Sequence, residues 1–540
     1  MIAEVTALTA LDWIVILVYF VGLAGVTLYA RSKTGAADSE HYFLGGRDVP
    51  FWAIGFSLFA SNVGTDHLVG LAGAGAAQGL VAGLYEWSAC YVLLVLGWVF
   101  VPHYLGCGVY TVPEYLEKRF DRSFRTFFTW MTIVTTVLTK ISVTIWGGNL
   151  VIEEVLGWDM WVSTTALLVL TCIYTSIGGL AAVVYTEVFQ SIILLLGSVV
   201  LVCYGLSAVG GWEGLKQALP ASHFTLIKPG TDPDFPWFGV LTGMQINGIW
   251  YWCTDQVMVQ RVLAAKSASS GQSGCVMAGW LKITPMFLMV LPGLIAAALY
   301  PAQIEQNSDL AFALLVARLL PGGWKGPMVA VMLSSFMAAL ASCFNSCSTL
   351  FTMDIYARWR PDHTEEELVK VGRIFTVVVA VASVIWLPMI SASGSELFLY
   401  IQGMQVIWCG PIALVFLASV SMKSLNGDTA WAVLMIGLAF GVFYWLLSTG
   451  LPAAWRWSFL ESLNILNYSM ISFTFSGVLL AVLHFSNFGR GSSDDENTVL
   501  LTKDLDHPIQ QKEWAGLPTQ ISALLLCVTV AGLIIVLPMI

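Results

Sequence analysis

The chain has 540 residues, of which 57% are hydrophobic and only 11% are charged, and its formal net charge is −10. Soluble domains carry about a quarter charged residues, so this composition excludes a soluble enzyme and indicates a membrane protein. The Lys and Arg residues form no large basic patch, so nucleic acid is not an expected partner.

Apolar segments recur along the whole chain. About 20 apolar residues cross a bilayer as a helix, and segments of that kind predict an all-α polytopic protein with about 14 transmembrane helices, because the spans of a β-barrel would be short and alternating. The predicted spans are 9–30, 51–72, 80–101, 127–155, 160–178, 180–207, 237–262, 274–300, 326–352, 369–389, 395–419, 429–448, 464–485 and 520–540.

The positive charges give an orientation. Cytoplasmic loops are enriched in Lys and Arg, and most of the 24 such residues fall in the odd-numbered loops, among them Arg31, Arg122, Arg261 and Arg358. This predicts a multi-pass protein of a cell membrane, plasma or inner, with both termini outside. Residues 486–519 then form a cytoplasmic linker.

Two spans are interrupted by small and polar residues. The second contains Ser61-Asn62-Val63-Gly64-Thr65 and the seventh contains Gln245-Ile246-Asn247-Gly248. A broken helix leaves backbone groups that ligand, ion or water must satisfy. Two breaks five spans apart are what an inverted-repeat transporter needs, although glycine kinks alone would give the same pattern.

Three polar side chains within spans are candidates for solute binding, because such residues are costly in a membrane. Glu86 lies between Tyr85 and Trp87, and sugar sites combine carboxylates with aromatic rings; a glutamate at a helix start is the alternative. Lys282 needs an acceptor, and Gln402 can also bond to a neighbouring helix.

Sequence motifs for ATP hydrolysis or metalloprotease chemistry are absent. An enzyme therefore has no catalytic constellation here, and no resident cofactor is expected. Uphill transport would have to draw on an ion gradient, in which one charge falling through 100 mV releases about 2.3 kcal/mol.

Several motifs, in order along the chain, resemble the sodium/glucose cotransporter branch of the sodium:solute symporter family. The resemblance implies a LeuT-type 5+5 inverted-repeat core with a broken first helix in each repeat. It divides the chain into 1–50 (first span and loop), 51–208 (repeat one, spans 2–6), 209–419 (repeat two, spans 7–11) and 420–540 (three further spans). The motifs are HYFLGGRDVPFWAIGFSLFASNVGTDHLVGLAG (41–73), YEW (85–87), GGLAAVVYTEVFQ (178–190), WYWCTDQVMVQRVLAAK (250–266), LKITPMFLMVLPG (281–293), FNSCSTLFTMDIY (344–356) and YIQ (400–402).

The resemblance also implies roles for individual residues. Those that match the family's sugar-binding positions are Asn62, His67, Glu86, Lys282 and Gln402, with Trp252 adjoining. Those that match its gates are Leu71, Tyr85 and Phe398 on the outer side and Tyr251 on the inner side. Gly248 stands where relatives carry a polar side chain, which leaves the sugar preference open.

The implied sodium site departs from the family. The resemblance places carbonyls of Ala60, Val63 and Ser335 around the ion, but the two serines that should complete it are Ala338 and Ala339. A methyl group cannot coordinate a cation.

Three ways around this defect remain open. Ser334 and Ser335 could rotate in; Glu187, where aspartate is usual, could balance sodium or take a proton; or coupling could be lost.

The sequence thus predicts a cation-coupled, alternating-access symporter for a monosaccharide such as glucose or galactose, with sodium as the co-substrate. A proton-coupled or uncoupled carrier of a sugar or an inositol-like polyol, or a sugar sensor, is the alternative. The oligomeric state stays open.

Overall fold

The computed structural model describes residues 8–34, 38–391, 397–450, 455–461, 463–489 and 515–539, with side chains left out at 33–34, 386–391, 397–402, 449–450 and 461. Helices make up nearly all of the described chain. The long ones are Ala10–Thr34, Leu80–Gly106, Arg122–Leu156, Met160–Val209, Ala268–Leu299, Lys325–Trp359, Glu365–Ser391, Leu397–Ser421, Gly427–Trp445, Ile465–Phe485 and Leu517–Val536. The shorter ones include Ser39–Leu44, Phe51–Asn62, Ala72–Gln78, Val112–Arg119, Gly211–Ala218, Trp237–Leu241, Gly243–Gly248, Gln256–Leu263, Pro301–Gln306 and Ala311–Arg318.

In the described residues, 11 helices are long and apolar enough to cross a membrane. The prediction of an all-α polytopic protein is confirmed, while the number 14 stays a prediction. Two of the predicted spans, 51–72 and 237–262, are each divided into shorter helices, and two others, 160–178 and 180–207, lie in the single segment Met160–Val209. Most of linker 486–519 lies outside the described residues.

Gly179 interrupts the 50-residue segment Met160–Val209. Its backbone has φ 58° and ψ −159°, a conformation that is open to glycine and costly for other residues. A β-carbon at this position would lie 2.5 Å from the carbonyl oxygen of Tyr42. Glycine is therefore required here, at the boundary predicted between the fifth and sixth spans.

The helix Lys325–Trp359 occupies the centre of the bundle. Its most apolar stretch is 89% buried within the protein, whereas the corresponding stretch of Leu517–Met539 is only 17% buried. Apolar side chains of the outer helices remain available to lipid, as a membrane-spanning bundle requires. Polar groups that must avoid lipid are collected around the central helix.

A charged network joins one end of the central helix to its neighbours. The Asp354 carboxylate accepts hydrogen bonds from Arg125 Nε at 2.7 Å and from the hydroxyls of Thr111 and Thr129 at 2.8 and 2.9 Å. Arg125 also bonds to Glu117 at 2.7 Å. The network fixes the helices Val112–Arg119, Arg122–Leu156 and Lys325–Trp359 to one another at the side predicted to be cytoplasmic.

Candidate solute and cation sites

The first broken helix occupies residues 51–78. Its first half, Phe51–Asn62, ends where Val63 leaves helical geometry (φ −81°, ψ 86°), and the chain resumes as a π-helical turn over Asp66–Leu71. The break lies within the polar run predicted from the sequence. The last carbonyls of a helix lack partners within it. At this end Asn62 O accepts from Gly64 N at 3.0 Å and Val63 O accepts from Ser335 Oγ at 2.7 Å.

The second broken helix occupies residues 237–263, and its predicted position was wrong. Gln245–Gly248 stays helical, and the break falls at Asp255 (φ −78°, ψ 128°). The Asp255 carboxylate accepts a hydrogen bond from Val257 N at 2.8 Å and so caps the following helix. Asn247 is accommodated within the helix because its Oδ1 faces Cys409 Sγ at 2.7 Å.

Four of the predicted sugar-binding side chains meet in one cluster. Lys282 Nζ donates to Glu86 Oε2 at 2.5 Å and also to Asn62 Oδ1. His67 Nε2 lies 2.9 Å from Glu86 Oε1. All four residues are at least 91% buried, and Lys282 is wholly buried. The ammonium and the carboxylate neutralise each other, which makes their burial tolerable.

Aromatic rings border this cluster. Lys282 Nζ lies 5.2 Å from the centre of the Trp252 ring, and Asn62 Nδ2 donates to the Tyr251 hydroxyl at 3.0 Å. Both rings come from the π-helical turn Ile249–Thr254 of the second broken helix. The site is therefore assembled from both broken helices and from the segments Leu80–Gly106 and Ala268–Leu299, which carry Glu86 and Lys282.

The cluster opens onto a cavity of about 620 Å³, mouth included, which we call the solute cavity. Its walls include Asn62, His67 and Glu86 of the cluster and the two aromatics, whereas the wholly buried Lys282 does not border it. They also include polar residues that the sequence reasoning did not assign to the site, namely Asp66, Ser88 and Gln405. Asp66 and Gln405 could have been found, because each is a polar residue within a predicted span. The side chain of Gln402 lies outside the described residues.

The predicted outer gate is only partly described. Leu71 is buried, and the Tyr85 ring packs edge-on against Phe235 with 6.0 Å between ring centres. Tyr85 also borders the solute cavity. The side chain of Phe398 lies outside the described residues.

Glu187 occupies a second buried polar cluster. Its carboxylate forms an ion pair with Arg261 at 3.2 Å and accepts hydrogen bonds from Ser57, Ser61 and Ser342. Arg261 was expected in a cytoplasmic loop, but it is wholly buried in the helix Gln256–Leu263. Its charge is satisfied by Glu187, by the Ser61 hydroxyl at 2.8 Å and by a backbone carbonyl.

The residues around the expected sodium site are closely packed. Ser335 Oγ donates to the Val63 carbonyl at 2.7 Å, so one expected ligand already has a partner. Ala60, Ala338 and Ala339 are all buried. Ala339 presents its methyl group to Gly64, in the gap of the first broken helix.

One further pair of charges, Lys140 and Asp255, lies inside the bundle. Lys140 Nζ is 2.8 Å from Asp255 Oδ2 and 4.6 Å from the centre of the Tyr251 ring. Lys140 was recognisable from the sequence as a cation within a span. Its partner was not, because the two residues are far apart along the chain.

Comparison with known proteins identifies the family to which this chain belongs. The sequence profile of the Sodium:solute symporter family matches residues 42–437. The chain belongs to the sodium:solute symporter family. It is a membrane-embedded, sodium-coupled solute symporter and not an enzyme.

Named relatives cover most of the symporter. Sodium/glucose cotransporter 4 of Danio rerio is 40% identical over 469 residues, which are 81% of this chain and 71% of the relative. Sodium/glucose cotransporter 1 of Ovis aries is 41% identical over 472 residues (80% and 71%). Sodium/myo-inositol cotransporter 2 of Oryctolagus cuniculus is 41% identical over 465 residues (80% and 69%).

The fold of the symporter also matches solved structures. A Na⁺-coupled sialic acid symporter in a substrate-bound outward-open state superimposes with a TM-score of 0.77 at 20% identity, over 88% of this chain and 98% of the other. Mhp1, a nucleobase-cation-symport-1 family transporter, superimposes with a TM-score of 0.55 at 14% identity (87% and 99%). The LeuT-type fold is thereby confirmed.

Proposed function

We propose that the symporter carries a neutral monosaccharide such as glucose or galactose, or a polyol such as inositol, together with sodium by alternating access. The observation that carries the proposal is the buried cluster of Asn62, His67, Glu86 and Lys282 beside the solute cavity. Relatives at 40–41% identity are named as glucose and inositol cotransporters.

The cluster has the chemistry that a polyhydroxylated solute requires. A hydroxyl group is both a donor and an acceptor. Of the side chains that line the cavity, Glu86 can accept from a hydroxyl and Asn62 can both donate and accept. Lys282 holds Glu86 and Asn62 in place from behind. Trp252 adds an apolar ring surface, which suits the C–H face of a sugar. The charges of Lys282 and Glu86 cancel, so this pair adds no net charge that would select for a charged solute.

Alternating access requires one gate on each side of the solute cavity. Leu71, Tyr85 and Phe398 close the outer path, and Tyr251 closes the inner path. The support for Tyr251 is its hydrogen bond to Asn62, which lies between the solute cavity and a second cavity lined by Lys140 and Ala339. Sodium would approach the gap at Ala60 and Val63 beside Ser335, with Ala338 and Ala339 contributing no ligand atom.

Glu187 remains the counter-charge candidate for the cation, but its contact with Arg261 already balances its charge. The lack of side-chain oxygens at Ala338 and Ala339 is the observation behind three alternatives to the proposal, namely proton coupling, uncoupled transport, and a sensor that binds sugar without accumulating it.

Uptake into proteoliposomes tests the proposal. Labelled glucose, galactose and myo-inositol are offered under an inward sodium gradient, an inward proton gradient, or neither. Sodium-driven accumulation of one of them is expected. Glu86→Gln should abolish it, whereas Glu213→Gln, which neutralises a 76% exposed side chain in a surface pair, should not. Accumulation driven by protons alone, equilibration without accumulation, or normal uptake by Glu86→Gln would each refute the proposal.

A further inference from the structure

Asp66 follows the break in the first broken helix and has no role in the function proposed so far. Its side chain is 32% exposed although it lies in the middle of the bundle. That exposed surface faces two cavities, since Asp66 lines both the solute cavity and the second cavity, which measures about 440 Å³ and is also bordered by Ser61, Lys140 and Ala339.

The carboxylate of Asp66 lies next to the position where ligand oxygens are missing. A β-carbon on Gly64 would be 3.0 Å from Asp66 Oδ1 and 2.8 Å from the methyl group of Ala339. Asp66 and Ala339 therefore flank the same point in the gap. The first half-helix ends near this point, and the carbonyl end of a helix favours cations.

The charge of Asp66 is balanced differently from that of the other carboxylates nearby. Its Oδ1 accepts from Gly64 N at 3.2 Å and lies 3.2 Å from His67 Nδ1. Within the described part of the chain, its Oδ2 has no hydrogen bond and neither oxygen contacts a Lys or Arg. The neighbouring carboxylates all do, in the pairs Glu86–Lys282, Glu187–Arg261 and Asp255–Lys140.

We propose that Asp66 is the anionic ligand of the coupling sodium ion and supplies the oxygen that Ala338 and Ala339 lack. This inference rests on the sodium-coupled function proposed above. Carboxylate oxygens suit hard cations, and this carboxylate lines two cavities and is not paired with a Lys or Arg in the described residues.

Asp66 also links the proposed sodium ion to the solute cavity through His67. Asp66 lies against His67, and His67 Nε2 lies 2.9 Å from Glu86 Oε1. A sodium ion held by Asp66 weakens the attraction between Asp66 and His67, which leaves His67 oriented toward Glu86 and the solute. Sodium and solute would then favour each other's binding, as linkage requires.

The test measures sodium dependence with Asp66→Asn, which keeps the size of the side chain and removes its charge. Loss of a charged ligand should raise the sodium concentration that gives half-maximal uptake about tenfold or more. The solute concentration at half-maximal uptake, measured in saturating sodium, should change less. Asp66→Ser provides a second neutral variant, and unfolding temperatures in detergent show that both are folded.

A rescue experiment separates a ligand from a merely structural residue. Adding Ala338→Ser and Ala339→Ser to Asp66→Asn should restore much of the lost sodium affinity, because two hydroxyls then replace the carboxylate. Glu213→Gln is the matched control for charge neutralisation and should leave sodium half-saturation unchanged.

The possible failures are distinguishable. If the unaltered protein shows no sodium-dependent uptake, the proposed function fails. If it does, and folded Asp66→Asn and Asp66→Ser keep its sodium half-saturation, only the role of Asp66 is refuted. Failure of the serine pair to restore sodium affinity in the Asp66→Asn background would also refute it.

Discussion

The buried pair of Glu86 and Lys282 yields a prediction about stability that is independent of transport. Glu86→Gln leaves the Lys282 ammonium without a charged partner, and removing one partner of a buried ion pair costs about 3–5 kcal/mol. If all 540 residues unfold, the entropy of unfolding is about 1.1 kcal/mol/K, so the Tm should fall by about 3–5 °C. The fall is larger if helices persist in the unfolded state.

A double-mutant cycle completes this prediction. Lys282→Met alone should cost a similar amount, because Glu86 then loses its ammonium partner, whereas the double variant contains neither charge and should return to within about 1 °C of the original Tm. The assay is intrinsic tryptophan fluorescence during heating in one detergent. Additive losses in the double variant would refute the reasoning. Solute uptake should be absent in all three variants, so the recovered stability would not come from a recovered site.

Three further predictions concern other parts of the molecule. Asp354→Asn removes one carboxylate from Arg125, which keeps Glu117, and should lower the unfolding free energy by about 1–3 kcal/mol, measured as a lower Tm. Gly179→Ala places a side chain at φ 58° against a backbone carbonyl and should cost about 1–3 kcal/mol or more, seen as a lower Tm and a lower yield of folded protein. Burial would raise the pKa of Glu117, but Arg125 and Arg358 lower this pKa below its ordinary value of 4.5. Ionised Glu117 therefore stabilises the protein above pH 4.5. The higher Tm of the unaltered protein relative to Glu117→Gln should vanish as the pH falls below 4.5.

Much of the fold could be predicted because a membrane restricts the choices. Apolar length identifies helices, and the break after Asn62 was located from small polar residues. The boundary predicted between spans 160–178 and 180–207 coincides with Gly179. Glu86 and Lys282 were found because a charge within a span needs a partner. That they are partners of each other emerges only from the structure, since 196 positions separate them.

The two wrong predictions, the break at Gln245–Gly248 and the loop position of Arg261, have physical causes. The run Gln245–Gly248 looked like a break, but helix packing supplied a neighbour for Asn247, and the helix ended instead at Asp255, a capping residue. Arg261 looked like a loop cation because it follows an apolar stretch. Its counter-ion, Glu187, lies 74 positions earlier, and no local pattern could show that the two would meet.

The backbone at Gly179 bears on the predicted sidedness of the chain. An unbroken helix of 50 residues would be about 75 Å long at 1.5 Å per residue, more than twice the roughly 30 Å of hydrocarbon that a membrane offers. We therefore expect the chain to reverse at Gly179, the residue of this segment whose backbone is not helical. Gly178, Gly179 and Leu180 are buried, so the predicted side of every later crossing depends on a residue that a protease cannot reach from solution.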